Sequence, residues 1–190
     1  FYEATISSRD ERLEHFTAVG VAISHMCRDP LLAYGAKGFA DHQKGISSYE
    51  VEQIILAIIV TTGVASIFLT KDFTPDYNSG LAHAIFYALT SYPIIEEKHL
   101  HGEVVGFGVL LALLVDGQDE EFEKVYQLNK AVKLPVSLEE IEISEQQWEE
   151  STNRIPHMSD VAHYPYAVTK QMLADAMRKL KERAGRENHE

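Results

Sequence analysis

Apolar residues recur at helical spacing along almost the whole chain, and no run alternates apolar and polar positions long enough to read as a strand. Leu13, Phe16, Val19, Ile23 and Met26 lie three or four positions apart and predict a first helix from Arg12 to Cys27. Asp29 as N-cap with Pro30 at the first helical position predicts a second start, after which Gly35, Gly38 and Gly45 break the pattern. Ser47, with Glu50 three residues on, has the form of a capping box and introduces the apolar stretch from Ile54 to Leu69. That stretch is 16 residues without a charge and carries Thr61, Thr62, Gly63 and Ser66; the run from Val104 to Val115 is shorter. A bilayer span needs roughly 20 apolar residues. Both segments are therefore expected as helices buried on all sides in one core, with no membrane partner.

Lys71 to Ser79, with Asp72, Pro75 and Asp76, has the composition of a loop. A short helix follows from Gly80 to about Ser91, then a turn at Pro93 and a helix from near His101 to Val115, ended by Gly117 and Asp119. Three pieces come next: Glu120 to Val132, one capped by Ser137 with Glu140, and one capped by Ser144 with Gln147. Thr169 introduces the last helix, whose apolar face is Met172, Leu173, Ala176, Met177 and Leu180, with Asp175 and Lys179 spaced for an ion pair. The class is all-α, a helical bundle.

Composition narrows the functions open to such a bundle. At 190 residues and 45% apolar content, one domain over residues 1–190 is expected. The 17 basic and 29 acidic residues give a net charge of −12, which repels phosphate backbones unless the basic residues cluster. The only cluster, Arg178, Lys179, Lys181, Arg183 and Arg186, is interleaved with Glu182 and Glu187 and reads as a solvated helix, so no nucleic-acid partner is expected. The single cysteine, Cys27, excludes an intrachain disulfide and suits a reducing, cytoplasmic compartment; its helical neighbours make it a core filler rather than a nucleophile. The chain opens on Phe1 without a signal-like segment, so it reads as a piece of a longer protein.

The chemistry concentrates in two segments, Asn78-Ser-Gly-Leu-Ala-His83-Ala-Ile-Phe86 and His101-Gly-Glu-Val-Val-Gly-Phe-Gly108, which place two histidines 18 positions apart on consecutive apolar helices. Among nine histidines such a pair arises readily by chance, and a buried histidine is more often hydrogen-bonded to backbone than bound to a metal. His101 stands at a helix start, where the positive end of the helix dipole favours the neutral ring a metal ligand needs. Gly102, Gly106 and Gly108 each cost roughly 1 kcal/mol in a helix interior, which close helix packing or close approach of a ligand would explain equally well. His99 reads as an exposed loop histidine and His157 as surface, while His163, among Tyr164, Pro165 and Tyr166, reads as lining a cleft.

Gly80-Leu-Ala-His83-Ala-Ile, then Leu89-Thr90, Pro93 and Leu100-His101-Gly102-Glu103-Val104-Val105-Gly106-Phe107-Gly108, resemble the two histidine motifs of the glycerol dehydrogenase branch of the iron-containing alcohol dehydrogenases, and more closely its hydroxycarboxylate dehydrogenase-like members. Phe1 to Ala4, Leu134 to Leu138 and, loosely, Ile155 to Leu180 extend the resemblance; residues 5 to 77 match only in helical character.

The resemblance implies a helical C-terminal domain of the dehydroquinate synthase-like kind, with His83 and His101 binding one divalent metal, zinc or iron. It also implies an N-terminal domain that binds NAD or NADP, missing here, and a third, aspartate ligand just before Phe1. The expected substrate is a small alcohol, polyol or 2-hydroxy acid; the expected compartment is the cytoplasm, and a homo-oligomer is the candidate assembly. Where glycerol dehydrogenases usually have a second histidine three residues after the first, this chain has Phe86, which either reshapes the substrate pocket or marks loss of turnover. Two other readings stay open: a lyase domain like that of dehydroquinate synthase, and a catalytically inactive helical interaction domain of the same fold.

Overall fold

The computed structural model describes residues 1–70 and 77–187, and every regular element among them is helical. The chain forms two compact units, Phe1–Asn78 and Ser79–Glu190. The loop expected from Lys71 to Ser79 falls mostly on residues 71–76, outside the described residues.

The first unit consists of α1 (Tyr2–Ser7), α2 (His15–Gln43), and the continuous run of α3 (Tyr49–Leu56), a π-helical turn (Ala57–Thr61) and α4 (Thr62–Leu69). The expected break at Asp29-Pro30 does not occur: Pro30 lies inside α2. Proline forfeits one backbone hydrogen bond there, at a cost of about 3 kcal/mol. That cost is offset because α2 packs against α3 and α4 along its length. Gly20, Ser24, Gly35 and Gly38 are the buried residues of α2, so two of the expected helix breakers lie within the helix, and Gly38 lets α3 approach closely. Gly45, at φ 68°, does end the helical region. The cap of α3 is Ser48 rather than Ser47: its hydroxyl accepts the Val51 N–H at 3.4 Å. Glu50 pairs instead with Lys37 of α2 at 3.1 Å.

The expectation that Ile54 to Leu69 is buried on all sides is overturned. Tyr49–Leu69 is 21 residues long, its most apolar 18-residue window has a mean hydropathy of 2.0 and is only 11% buried, and by length and composition this helix suffices to cross a membrane. Ala57, Ala65 and Leu69 face inward, whereas Ile59 is 70% and Ile67 75% exposed. The physical reason is the number of layers. The first unit offers α2 as the one long helix to pack against, and one neighbour covers one stripe of a helix that is apolar all round.

The second unit is built on α7 (His101–Val115), against which α5 (Leu81–Leu89), α8 (Asp119–Ala131) and α10 (Lys170–Glu187) pack; α6 (Pro93–Lys98) and α9 (Glu145–Thr152) complete it. Here the expected burial holds: Val104, Phe107, Leu110, Leu111 and Leu113 are fully buried, each contributing on the order of 1.5–3 kcal/mol. The expected turn at Pro93 is the first turn of α6, with proline in the position where its missing N–H costs nothing. Ser144 and Gln147 form the expected capping box, at 3.2 Å and 2.8 Å. Thr169 accepts the Met172 N–H at 3.2 Å, and Leu173, Ala176, Met177 and Leu180 are buried. Asp175 pairs with Arg178 rather than Lys179, which reaches across to Asp119 at 3.2 Å.

Arg183 fastens α10 to α8. Its guanidinium donates to both carboxylate oxygens of Glu123 at 2.8 Å and lies over the Tyr126 ring, 4.8 Å from the centroid. These hydrogen bonds, with a further one from Gln127, hold the Glu123 carboxyl at about 2 against an ordinary 4.5. A depressed carboxyl contributes stability that is complete above its unfolded value and is lost as pH falls toward the folded one. Glu123→Gln is therefore expected to destabilise the protein near neutral pH by at most about 1 kcal/mol, since the pair is partly exposed. Urea midpoints of the two proteins should converge as pH falls from about 5 to about 2; a constant difference over that range refutes the assignment.

Candidate functional site

Two helices carry the histidines, and a backbone contact sets their spacing. Leu100 is extended, and the Glu103 carboxylate accepts its N–H at 2.9 Å, so α7 starts at His101. Gly108 lies two turns along the same face of α7. There the helices meet backbone to backbone: a Cβ on Gly108 would sit 2.7 Å from the carbonyl oxygen of Ala82 and 2.9 Å from its Cα. Ala82 precedes His83, so this contact brings the start of α5 against α7. Of the three α7 glycines, Gly108 alone is explained by packing; nothing lies within 4 Å of a Cβ at Gly102.

Both ends of α5 are tied down by the segment that follows α9. The Leu81 N–H donates to the buried Tyr164 hydroxyl at 3.1 Å. The Arg154 guanidinium donates to the Ala88 carbonyl and to Ser91 Oγ, each at 2.7 Å. Leu81, Ala82, Ala84, Ile85, Ala88 and Leu89 fill the buried face of α5. His83 and Phe86 are left half-buried and Tyr87 exposed.

The ring centroids of His83 and His101 lie 5.3 Å apart, with planes 44° apart. Two imidazoles on one tetrahedral metal, with metal–nitrogen distances of about 2.1 Å, place their centroids roughly 5 Å apart. The centroid separation of the pair matches that spacing. Among the described residues no group of three or more histidine, cysteine, aspartate or glutamate side chains completes it. Phe86 packs edge-on against His101, with centroids 4.4 Å apart and planes at 76°, so the residue on the same face as His83 forms an apolar wall beside the pair.

The other histidines stand differently. His99 is not the exposed residue its loop position suggests: its side chain is 11% exposed, with Nε2 3.4 Å from Glu142 and Nδ1 3.8 Å from Glu103. It lines a cavity of about 510 Å³ with Lys98, Lys133 and Glu140, and neither His83 nor His101 belongs to that cavity. His157 is exposed, as expected. His163 is half-buried and precedes Tyr164, whose hydroxyl meets the start of α5. Tyr164 and Arg154 were invisible to local pattern, because their partners on α5 lie 83 and 66 positions away.

No protein-family model matches the chain. It is 33% identical over 134 residues to the glycerol dehydrogenase of Citrobacter freundii, an alignment covering 68% of this chain and 33% of that protein. It is 30% identical over 133 residues to the glycerol dehydrogenase of Escherichia coli O6:H1, with the same coverage. With hydroxycarboxylate dehydrogenase A of Escherichia coli K12 it shares 26% identity over 185 residues, 95% of this chain and 50% of the relative. The chain thus spans between about a quarter and a half of the length of the curated relatives it matches. In structure it matches a probable glycerol dehydrogenase from Sinorhizobium meliloti 1021, with a TM-score of 0.73 and 25% identity, over 94% of this chain and half of that one. Glycerol dehydrogenase from Schizosaccharomyces pombe has the same fold, with a TM-score of 0.68 over 88% of this chain.

The Gly108 contact generates a paired expectation. Gly108→Ala forces two backbones apart and should cost about 1–3 kcal/mol, whereas Gly102→Ala meets open space and should leave stability unchanged or raise it by up to about 1 kcal/mol. Thermal unfolding of the two variants checks this; equal midpoints would show that the α5–α7 approach is not close.

Proposed function

The chain is homologous, in sequence and in structure, to the glycerol dehydrogenases of the iron-containing alcohol dehydrogenase family, over about half the length of such an enzyme, and we propose that it is the metal-binding C-terminal domain of an NAD(P)-dependent dehydrogenase. The observation that carries this reading is the 5.3 Å separation of the His83 and His101 rings on the two motif-bearing helices. In this role His83 and His101 hold one divalent ion, zinc or iron, since imidazole together with a carboxylate suits both. On this reading the third protein donor and the nucleotide-binding domain belong to the remainder of the full-length protein.

A divalent ion held by His83 and His101 would supply Lewis-acid chemistry at a substrate oxygen, and a nicotinamide cofactor bound by the rest of the full-length protein would supply the hydride chemistry. The chain's own contribution is positional. The Glu103 carboxylate fixes the turn that presents His101. The Gly108–Ala82 contact sets the distance from which His83 reaches it. Phe86 gives one side of the site an apolar surface against the ring of the exposed His101. The substrate class is a small alcohol, polyol or 2-hydroxy acid, and the compartment the cytoplasm. His163 is assigned to the substrate side on its place next to Tyr164. Phe86 also carries the second reading, a domain that keeps the fold without turnover.

The test is zinc titration and coupled nicotinamide absorbance on the full-length protein. Micromolar or tighter zinc binding, weakened at least about tenfold in His83→Ala and in His101→Ala, is expected, together with loss of most of the rate. Residues 1–190 alone should show no turnover, because holding nicotinamide against substrate accounts for about 7–11 kcal/mol of such a reaction. Zinc binding unaffected by both substitutions would refute the ligand assignment; zinc binding without turnover in the full-length protein would select the second reading.

A further inference from the structure

Between the two fastenings of α5, only one lies at the end that carries His83. The Tyr164 hydroxyl accepts the Leu81 N–H two residues before His83, and both partners are buried, Tyr164 at 8% exposure and Leu81 at 0%. That N–H belongs to the first turn of α5, where no carbonyl within the helix reaches it. Gly80, the N-cap, has no side chain to supply an acceptor. A buried donor without a partner is costly, so the start of α5 has a reason to stay where Tyr164 stands.

We propose that Tyr164 is a positioning residue for the metal site: by taking the Leu81 N–H it fixes the depth and rotation of the first turn of α5 and so the point from which the His83 ring reaches toward His101. This rests on the reading of His83 and His101 as metal ligands. Gly108 limits how close α5 can come to α7, but contact with Ala82 leaves the first turn free to rotate about the helix axis. A directional hydrogen bond at Leu81 removes that freedom. Arg154 performs the corresponding function at Ala88, at the far end of the helix from His83. Loss of Arg154 therefore serves as the internal control.

The experiment compares full-length wild type with Tyr164→Phe, Arg154→Ala and His83→Ala. Zinc affinity is read by competition with a chelating dye, and the visible absorption of the cobalt-substituted site reports ligand geometry independently of activity. Tyr164→Phe keeps the ring and removes the acceptor; it should weaken zinc about tenfold and alter the cobalt bands. Arg154→Ala should lower the thermal midpoint while leaving affinity within about twofold and the cobalt spectrum unchanged. Hydrogen exchange at the Leu81 amide of the wild type gives a second measure that needs no variant to fold, and protection there is expected. A Tyr164→Phe protein with wild-type affinity and spectrum, equal losses in the tyrosine and arginine variants, or an unprotected Leu81 amide would each overturn the positioning role. If zinc binding fails in His83→Ala but survives in Tyr164→Phe, this inference alone falls. If wild type binds no zinc, the ligand assignment falls, and this inference with it.

Discussion

The backbone-to-backbone contact between Gly108 on α7 and Ala82 on α5 is the constraint on which the rest of the second unit depends. Packed helices ordinarily stand 8–10 Å apart, kept there by side chains. A residue without a Cβ at the crossing allows closer approach. The same approach lets the small and branched residues of α5 seat against a helix whose Phe107, Leu110 and Leu111 have no exposed surface. The two ends of α5 are then fixed by hydrogen bonds from one segment, at Leu81 and at Ala88.

What sequence pattern reveals is what acts over three or four residues. The Ser144–Gln147 box, the Thr169 cap, the start of α7 at His101 and the apolar face of α10 all depend on side chains one turn apart, and all are present in the fold. The same local logic misread α2. Asp29-Pro30 is a good helix start in isolation, but a proline in a helix stabilised along its length by a neighbour is an absent hydrogen bond rather than a boundary. Gly35 and Gly38 look like breakers for the same reason, although both are buried within the helix. For the site, both histidines and Phe86 stood out, whereas Tyr164 and Arg154 did not, since no periodicity links residues more than 60 positions apart.

Tyr49–Leu69 shows the opposite limit. Its apolarity states that the helix gains by leaving water, but burial depends on how many elements surround it, which is a property of topology. His101–Val115 has comparable character and is covered by α5, α8 and α10, whereas Tyr49–Leu69 has α2. Small residues on α2 make that one interface close, and the residues pointing away, Ile55, Ile58, Ile59 and Ile67, remain in solvent. The difference between the two helices therefore lies in their neighbours.

Electrostatics separates the tasks within the proposed role. Two neutral imidazoles supply coordination but no charge, so a divalent ion held by His83 and His101 needs negative charge from a further ligand or from its surroundings. The net charge of −12 supplies a field of the right sign, and one that opposes the phosphates of a dinucleotide. Screening confines that field to about 8 Å at physiological ionic strength, so only nearby carboxylates act on the ion. Glu103, two residues from His101, is such a group, and its carboxylate is already committed to the Leu100 N–H and lies near His99. In the proposed role it would act through helix geometry and local potential rather than as a ligand. The charge that completes coordination has to come from a separate donor, and a carboxylate satisfies both the charge and the preference of zinc or iron for oxygen beside two imidazole nitrogens.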